Sequence, residues 1–483
     1  MTANKHLELV PTATLRPRLN PYDRLLARFY EPLFLLKALG QTRGEHTSQP
    51  PSRDAGQAIR RRFLLNLCSI CDFKKGGGSC TAIALEDSPA CYRFWIASNK
   101  ENEKIVGFVK KVLSIMRDTE ALPSSSLAHA KAQFILYCAD FAAARIEDER
   151  KCLRREAQRS VSMLLKQSSE TAQNLLRWLE QVIDHRDNIP LCAFAYRNRH
   201  SLYMNELESW ASYENRSLGY EARRSSFELV RHYMGRLAHH VRAPKALIED
   251  ASQLGHLLEA YDVRAMSHPH PVPPPVCDSH TNLHGIVKRM FPRDDPEKAI
   301  IEDGLIYMNK TSGIFNTFIS QYQSPGLQVH AEVQLLEHFY KKRLSFVGHD
   351  RFIACSKPAC LCCELYFKHH PARMVVPSSH CKIWTSWSPP YVPQFTKDDP
   401  ESRLQKKLLS DVTQDLREQI IRQVLERSRS SRWHPDSRTG ITETYPADAF
   451  GIHQAQDDEP DKDTEGELDL SLDPDDGGVL IYV

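Results

Sequence analysis

The chain has 483 residues, 41% of them hydrophobic and 26% charged, with a formal net charge of +2. That length allows one large domain or two to three ordinary ones. The near-neutral charge excludes an extended cationic coat for nucleic acid but leaves room for a local basic patch. Thirteen cysteines in a chain this long do not make a disulfide scaffold. With no signal-peptide pattern in residues 1–20, they predict reduced thiols and an intracellular protein, cytoplasmic or nuclear. No run reaches the roughly 18 apolar residues of a membrane span, so no membrane partner is expected.

Residues 21–39 carry Leu25, Leu26, Phe29 and Leu33 at helical spacing, and 40–56 read as a polar loop. Residues 60–73 predict an amphipathic helix with Phe63, Leu64, Leu67, Cys68 and Cys71 on its apolar side. Cys68 and Cys71 form a C-x-x-C pair, but no second pair or histidine follows at zinc spacing, so they read as core. Lys74, Lys75 and the glycines 76–78 read as a turn, because no Lys-Ser/Thr follows where a phosphate loop requires it. Residues 81–86 and 92–97 then read as two strands of a hairpin. Asn99, at the end of the second, suits a cap of that strand or of the helix after it.

From 101 to 262 helical patterns dominate: 105–116, 130–144, a long one over 153–183, then 227–241 and 246–260. The cationic clusters in this stretch, 197–200, 223–224 and 239–242, read as solvated helix faces ahead of phosphate grips. Residues 266–277 form a proline-rich, semi-rigid linker, whose His268 and His270 lack partner ligands. Two short helices are expected over 283–290 and 296–307, and Asn309 and Asn316 stand as weaker alternatives to Asn99.

The chemistry concentrates in residues 329–363. His330, Cys360 and Cys363 are soft-to-borderline ligands that suit zinc, and three protein ligands leave the fourth tetrahedral position to water. Glu332 stands beside His330 as a proton carrier for that water. Apolar residues at 329, 333, 336 and 339 recur at helical period, which puts His330 and Glu332 in the first turn of a buried helix. Cys360 and Cys363 share one face if a second helix begins there, and a helix start lowers a thiol pKa. A short strand is expected over 351–354 between the two helices. Cys355 and Cys362 are near enough to replace a ligand or to be core thiols, and spacing leaves that open. H-x-E followed by P-C-x-x-C is the signature of the zinc deaminases. Here the proline is Pro358, one residue earlier than the signature places it.

On these residues the chain resembles the cytidine-deaminase-like superfamily, and within it the fungal OTT-type deaminase-like branch. His330-Ala331-Glu332 and Cys355-Ser356-Lys357-Pro358-Ala359-Cys360-Leu361-Cys362-Cys363 carry the likeness, together with residues 76–82 and 96–99 upstream. The resemblance implies an α/β fold, an α-β-α cytidine-deaminase-like sheet whose first two strands are the hairpin. A large, mostly helical insertion and helical N- and C-terminal extensions would surround it. It implies Zn2+ as cofactor and hydrolytic deamination of a nucleobase, cytosine-type ahead of adenine, with Glu332 moving the proton. It also implies that Asn99 binds the nucleoside sugar or base.

Beyond the cluster, 365–367 continue the second helix, and 374–377 and 382–384 read as short strands. Residues 385–391 resemble the Ser-Trp-Ser-Pro-Cys of polynucleotide cytidine deaminases, but Pro390 and Pro393 stand where cysteines would be, so this segment cannot hold zinc. Trp384 and Trp387 read as packing ahead of walls for a base pocket. Residues 400–427 predict a charged amphipathic helix, and the acidic stretch 457–476 predicts disorder.

The expected organisation is an N-terminal extension (1–60), a first helix and hairpin (61–99), a helical insertion (100–265) and a linker (266–280). A zinc deaminase core (281–395), a C-terminal helix (396–432) and an acidic tail (433–483) follow. The expected partner is a substrate bearing a nucleobase, free or within nucleic acid. The rival reading is an inactive, zinc-stabilised helical scaffold, with Cys355 or Cys362 closing the metal site and a protein bound through the insertion or the tail.

Overall fold

A computed structural model describes residues 20–120, 122–217, 224–292, 294–323, 326–428, 431 and 434–437. The acidic tail expected over 433–483 lies outside the described residues except for 434–437.

The architecture is mixed α/β. Among the described residues, β1 (Thr81–Asp87), β2 (Tyr92–Ser98), β3 (Tyr261–Ala265) and β4 (Ile353–Cys355) form one sheet in the order β3-β2-β1-β4. β1 and β2 are the expected hairpin, antiparallel from Thr81 opposite Ser98 to Asp87 opposite Tyr92. β4 runs antiparallel to β1, and β3 parallel to β2.

Strand alternation gives the sheet two unlike faces. One presents Ile83, Leu85, Phe94 and Ile96 to α2 (Ala55–Ile70) and α3 (Asn102–Glu120). The other presents Ala82, Ala84 and Ala97, side chains small enough to let a helix come close. Helix starts are chemically marked: Asp54 accepts the Gln57 N–H at 2.7 Å ahead of α2, a cap worth about 1 kcal/mol. Cys68 and Cys71 are fully buried in the core under α2, as their spacing suggested.

Between β2 and β3 the chain also builds α4 (Ser124–Phe141), α5 (Ala143–Leu164), α6 (Glu170–Asp184), α7 (Asn188–Asn198), α8 (Leu202–Ser217), α9 (Ser226–Gln253) and α10 (His256–Glu259). These helices enclose a separate apolar cluster around Leu175, Leu179, Leu207 and Leu237. The 28-residue α9 joins it to the sheet, with Phe227 to Ala238 in that cluster and Ala243 to Ala251 under the strands.

After β3 come α11 (Leu283–Met290), α12 (Glu297–Ser312), α13 (Ile314–Ser320), α14 (Ala331–Lys342), α15 (Leu361–His369) and α16 (Pro400–Leu425). With α1 (Pro21–Ala38), they cover the alanine face of the sheet.

Four expectations need correction. The pattern over 153–183 is two helices, broken after Leu164 where Ser169 caps α6. The patterns over 227–241 and 246–260 merge into α9, which runs through Pro244 and is followed by α10. Residues 261–265, partly counted as helical, form the edge strand β3; only Val263 in it is buried, so little alternation marks it. Residues 374–377 and 382–384 form no strand, and only Lys382 makes an isolated bridge, to Thr42. Single contacts tie them down, such as Val375 N–H to Arg351 O at 3.0 Å and Ile383 N–H to Gln41 O at 2.9 Å, where a strand needs a ladder.

Candidate metal centre

Two helix starts converge on the alanine face. His330 is the N-cap of α14 and Glu332 lies in its first turn; Cys360 is the N-cap of α15 and Cys363 lies in its first turn. Val333 and Leu336 of α14 are fully buried, which seats that helix on the sheet. The positive ends of both helices face the cluster and favour thiolates and a carboxylate there. α14 is capped by a distant residue: the Ala331 N–H donates to Asn99 Oδ1 at 3.0 Å. Asn99 Nδ2 donates to Gly77 O at 2.8 Å, so both ends of this amide are held by the protein. The asparagine therefore caps the metal helix rather than its own strand or the helix after it.

His330 Nδ1 lies 3.6 Å from Cys360 Sγ and 3.4 Å from Cys363 Sγ, and the two sulfurs are 3.5 Å apart. A tetrahedral zinc with ordinary bond lengths spaces two sulfurs about 3.8 Å apart and nitrogen from sulfur about 3.5 Å. The donor set and its spacing therefore fit zinc. Among the described residues, these three form the group able to hold a metal ion. Burial opposes charge on all three, yet the Cys360 thiolate raises the His330 pKa to about 9. The bond from Cys363 and the charge on His330 bring Cys360 down to about 6 against that burial. Burial, then the bond to Cys360, push Cys363 well up. These opposite shifts favour charge on His330 and Cys360, and a bound metal ion would need that histidine neutral and both thiols ionised.

Glu332 is 4% exposed, and its Oε2 stands 4.0 Å from Cys355 Sγ, which donates to it. Cys355 turns towards Cys80, with the sulfurs 3.8 Å apart, and does not join the metal group. Cys362 is fully buried in the apolar core and does not join it either. Glu332, Cys360 and Cys363 are buried, whereas His330, Cys80, Cys355, Asn99 and Gln328 are partly exposed, so the site opens on their side.

Trp387 is the residue that sequence reasoning undervalued. Its indole Nε1–H donates to Cys363 Sγ at 3.1 Å, and the side chain is fully buried. Residues 386–388 run beside Gln328, through Gln328 N–H to Ser386 O at 2.8 Å and Ser388 N–H to Gln328 O at 2.9 Å. Tyr30 of α1 adds a bond from its hydroxyl to Trp387 O at 3.1 Å. The Ser-Trp-Ser-Pro motif was the available signal, but periodicity cannot say which atom an indole meets. Trp384 instead bonds His380 Nε2 at 3.4 Å.

Other candidates serve locally. Asn309 accepts the Phe315 N–H at 2.9 Å, and neither His268 nor His270 belongs to the metal group. In the basic clusters, His240 bonds Glu149, His239 bonds Ser69, and Arg224 pairs with Glu228. Arg223 lies outside the described residues. A polar cleft of about 410 Å³ near the C-terminal half of α15, lined by Lys368, Asp415 and Arg422 among others, holds none of the metal group.

Residues 329–391 match the family model described as OTT_1508-like deaminase. The matched segment holds His330, Glu332, Cys360, Cys363 and Trp387 but neither the hairpin nor the helices of 102–259. No curated protein and no solved structure matches the chain. The protein thus carries a deaminase-like segment together with a His/Cys/Cys cluster compatible with zinc. Among the described residues, no helix is long and apolar enough to cross a membrane.

Proposed function

We propose that the protein is a zinc-dependent deaminase acting on a nucleobase, cytosine-type ahead of adenine. On this reading the helices on both faces of the sheet correspond to the α-β-α layers of the cytidine-deaminase-like superfamily. The observation that carries the proposal is the meeting of His330 Nδ1, Cys360 Sγ and Cys363 Sγ with the Glu332 carboxylate beside them and a partly exposed rim.

His330, Cys360 and Cys363 would hold zinc, which would supply a water activated near neutral pH. Glu332 would be the proton carrier, its carboxylate taking one proton at a time from the attacking water and passing the first to the ring nitrogen and the second to the leaving amino group. Water is consumed, a carbonyl replaces the amino group on the ring, and ammonia departs. Burial of Glu332 shields the proton from bulk water, and the bond from Ala331 to Asn99 keeps the first turn of α14 in place. Asn99, partly exposed on the same side, would meet the sugar of a bound substrate through the acceptor capacity its Oδ1 keeps beside the bond from Ala331.

The test is ammonia release from a panel of cytosine and adenine nucleosides, nucleotides and oligonucleotides, using full-length protein of measured zinc content. Glu332→Gln is expected to keep its zinc while losing about 100- to 10,000-fold in turnover. A fully active variant removes Glu332 from the proton path, and no ammonia from any substrate overturns the enzyme reading.

A further inference from the structure

The loop over 74–79 lies on the rim of the metal centre. It leads into Cys80, whose sulfur lies 3.8 Å from Cys355, and Cys355 lies 4.0 Å from Glu332. Its carbonyls are drawn into the protein. Lys74 O accepts from the Ser79 hydroxyl at 3.0 Å and from Arg145 Nη1 at 3.2 Å. Gly76 O accepts from Lys357 Nζ at 2.6 Å, Gly77 O from Asn99 Nδ2 at 2.8 Å, and Gly78 O from the Lys100 N–H at 3.0 Å.

In a trans peptide the N–H points opposite to the carbonyl before it. The N–H groups of Lys75, Gly77, Gly78 and Ser79 therefore point away from those partners, and none of them donates a hydrogen bond to another described residue. Successive backbone N–H groups left free in a turn are donors that an anion can use. Gly76 has φ +96°, a conformation that favours glycine.

The local charge agrees. Asp72, the buried carboxylate beneath the loop, is met by Arg145 at 2.7 Å, Lys357 at 3.3 Å and the Ser79 hydroxyl at 2.6 Å. Glu101 pairs with Lys74. Lys75 and Lys100 are exposed, and neither has an ion pair among the described residues. The aliphatic chains of Lys74 and Lys100 lie over Gly78, where a Cβ would meet them at 3.5 and 3.9 Å. Two free cations and a row of unused donors thus belong to a loop that Asn99 joins to the start of α14.

We infer that the 74–79 loop, with Lys75 and Lys100, binds the phosphate of a nucleotide substrate whose base enters the metal centre. The proposal rests on the deaminase reading for the base and on the loop alone for the phosphate. It narrows the substrate from any nucleobase compound to a phosphorylated one. The absence of Lys-Ser/Thr after the glycines still excludes a nucleotide-triphosphate loop with its bound Mg2+, and a single phosphate needs neither.

The test is equilibrium binding by calorimetry on the zinc-loaded full chain, comparing CMP with cytidine and AMP with adenosine. In the same samples, ammonia release reports the chemistry. For the base the site accepts, the 5′-monophosphate is expected to bind about tenfold or more tightly than the nucleoside, the effect of a charge-assisted contact. That advantage is expected to fall as KCl is raised, and to collapse towards unity in Lys75→Glu/Lys100→Glu. The wild-type salt series keeps the test valid if the variant misfolds. A short oligodeoxycytidylate in place of CMP tells whether the phosphate belongs to a mononucleotide or a strand. Equal binding of nucleotide and nucleoside, binding of neither, or an advantage that survives the charge reversal overturns the inference. A phosphate advantage without ammonia release keeps the phosphate site and removes the deaminase reading.

Discussion

An indole that donates to a ligand sulfur does more than fill space. The Trp387 bond draws electron density from Cys363 and fixes where its sulfur points. Partners of this kind outside the ligand shell change metal affinity about 10- to 100-fold when lost. Trp387→Phe keeps most of the buried ring and deletes the N–H. It is expected to bind zinc about 10- to 100-fold more weakly in a chelator competition. In the Co(II)-substituted protein, the sulfur-to-metal charge-transfer band should move to lower energy, because an unbonded thiolate gives up its electrons more readily. An unmoved band with unchanged zinc affinity would reduce Trp387 to packing. At the same scale, the candidate cluster was legible in the sequence because His330 and Glu332 share a helix start and Cys360 and Cys363 another. The cap of α14 was not, since Asn99 and Ala331 are 232 positions apart.

Between elements, buried charge ties the helices of 102–259 to the rim of the site. Glu149 of α5 meets Arg145 at 2.9 Å, Arg236 of α9 at 3.0 Å and His240 Nε2 at 3.0 Å, and Arg145 continues to Asp72. Burial alone would raise the Glu149 pKa, but Arg236 and Arg145 hold it well below the usual carboxylate range. Glu149→Ala strands these cations, and removing one partner of a buried ion pair costs about 3–5 kcal/mol, read as a lower urea midpoint. The sign with pH follows. A depressed carboxylate stabilises the fold above its unfolded value, and this is lost as pH falls through the folded one. Wild-type stability should therefore fall more steeply than that of the variant as the solution is taken below the ordinary carboxylate range. Parallel acid limbs would remove Glu149 from the account. Helical stripes made the elements legible here; the network was hidden, because solvated and paired charges look alike in a sequence.

Across the whole molecule, the candidate site draws on segments that only folding brings together: His330 and Glu332 from α14, Cys360 and Cys363 from α15, Trp387 from a later loop and Asn99 from the end of β2. The unfolded chain has no such site, so bound zinc stabilises the folded state by mass action. Free zinc at 1,000 times its dissociation constant contributes about 4 kcal/mol. Stripping the metal with a chelator is expected to lower the melting temperature, with recovery on adding zinc and none on adding magnesium. An unchanged melting temperature would mean that these three residues hold no metal in the folded protein.

The sequence by itself determined the hairpin, the helical character of most segments and the candidate ligand set, because short-range spacing encodes which residues share a turn or a face. It also placed Glu332 beside the histidine. Tertiary structure alone decided that Cys355 faces Cys80 and Glu332 rather than the His/Cys/Cys cluster, and that Trp387 donates to Cys363. It alone added β3 to the sheet and turned the loop carbonyls of 74–78 inward. These features depend on which distant surfaces bury against each other. A hydrogen bond between residues hundreds of positions apart leaves no period in the chain, only a polar side chain whose partner the fold supplies.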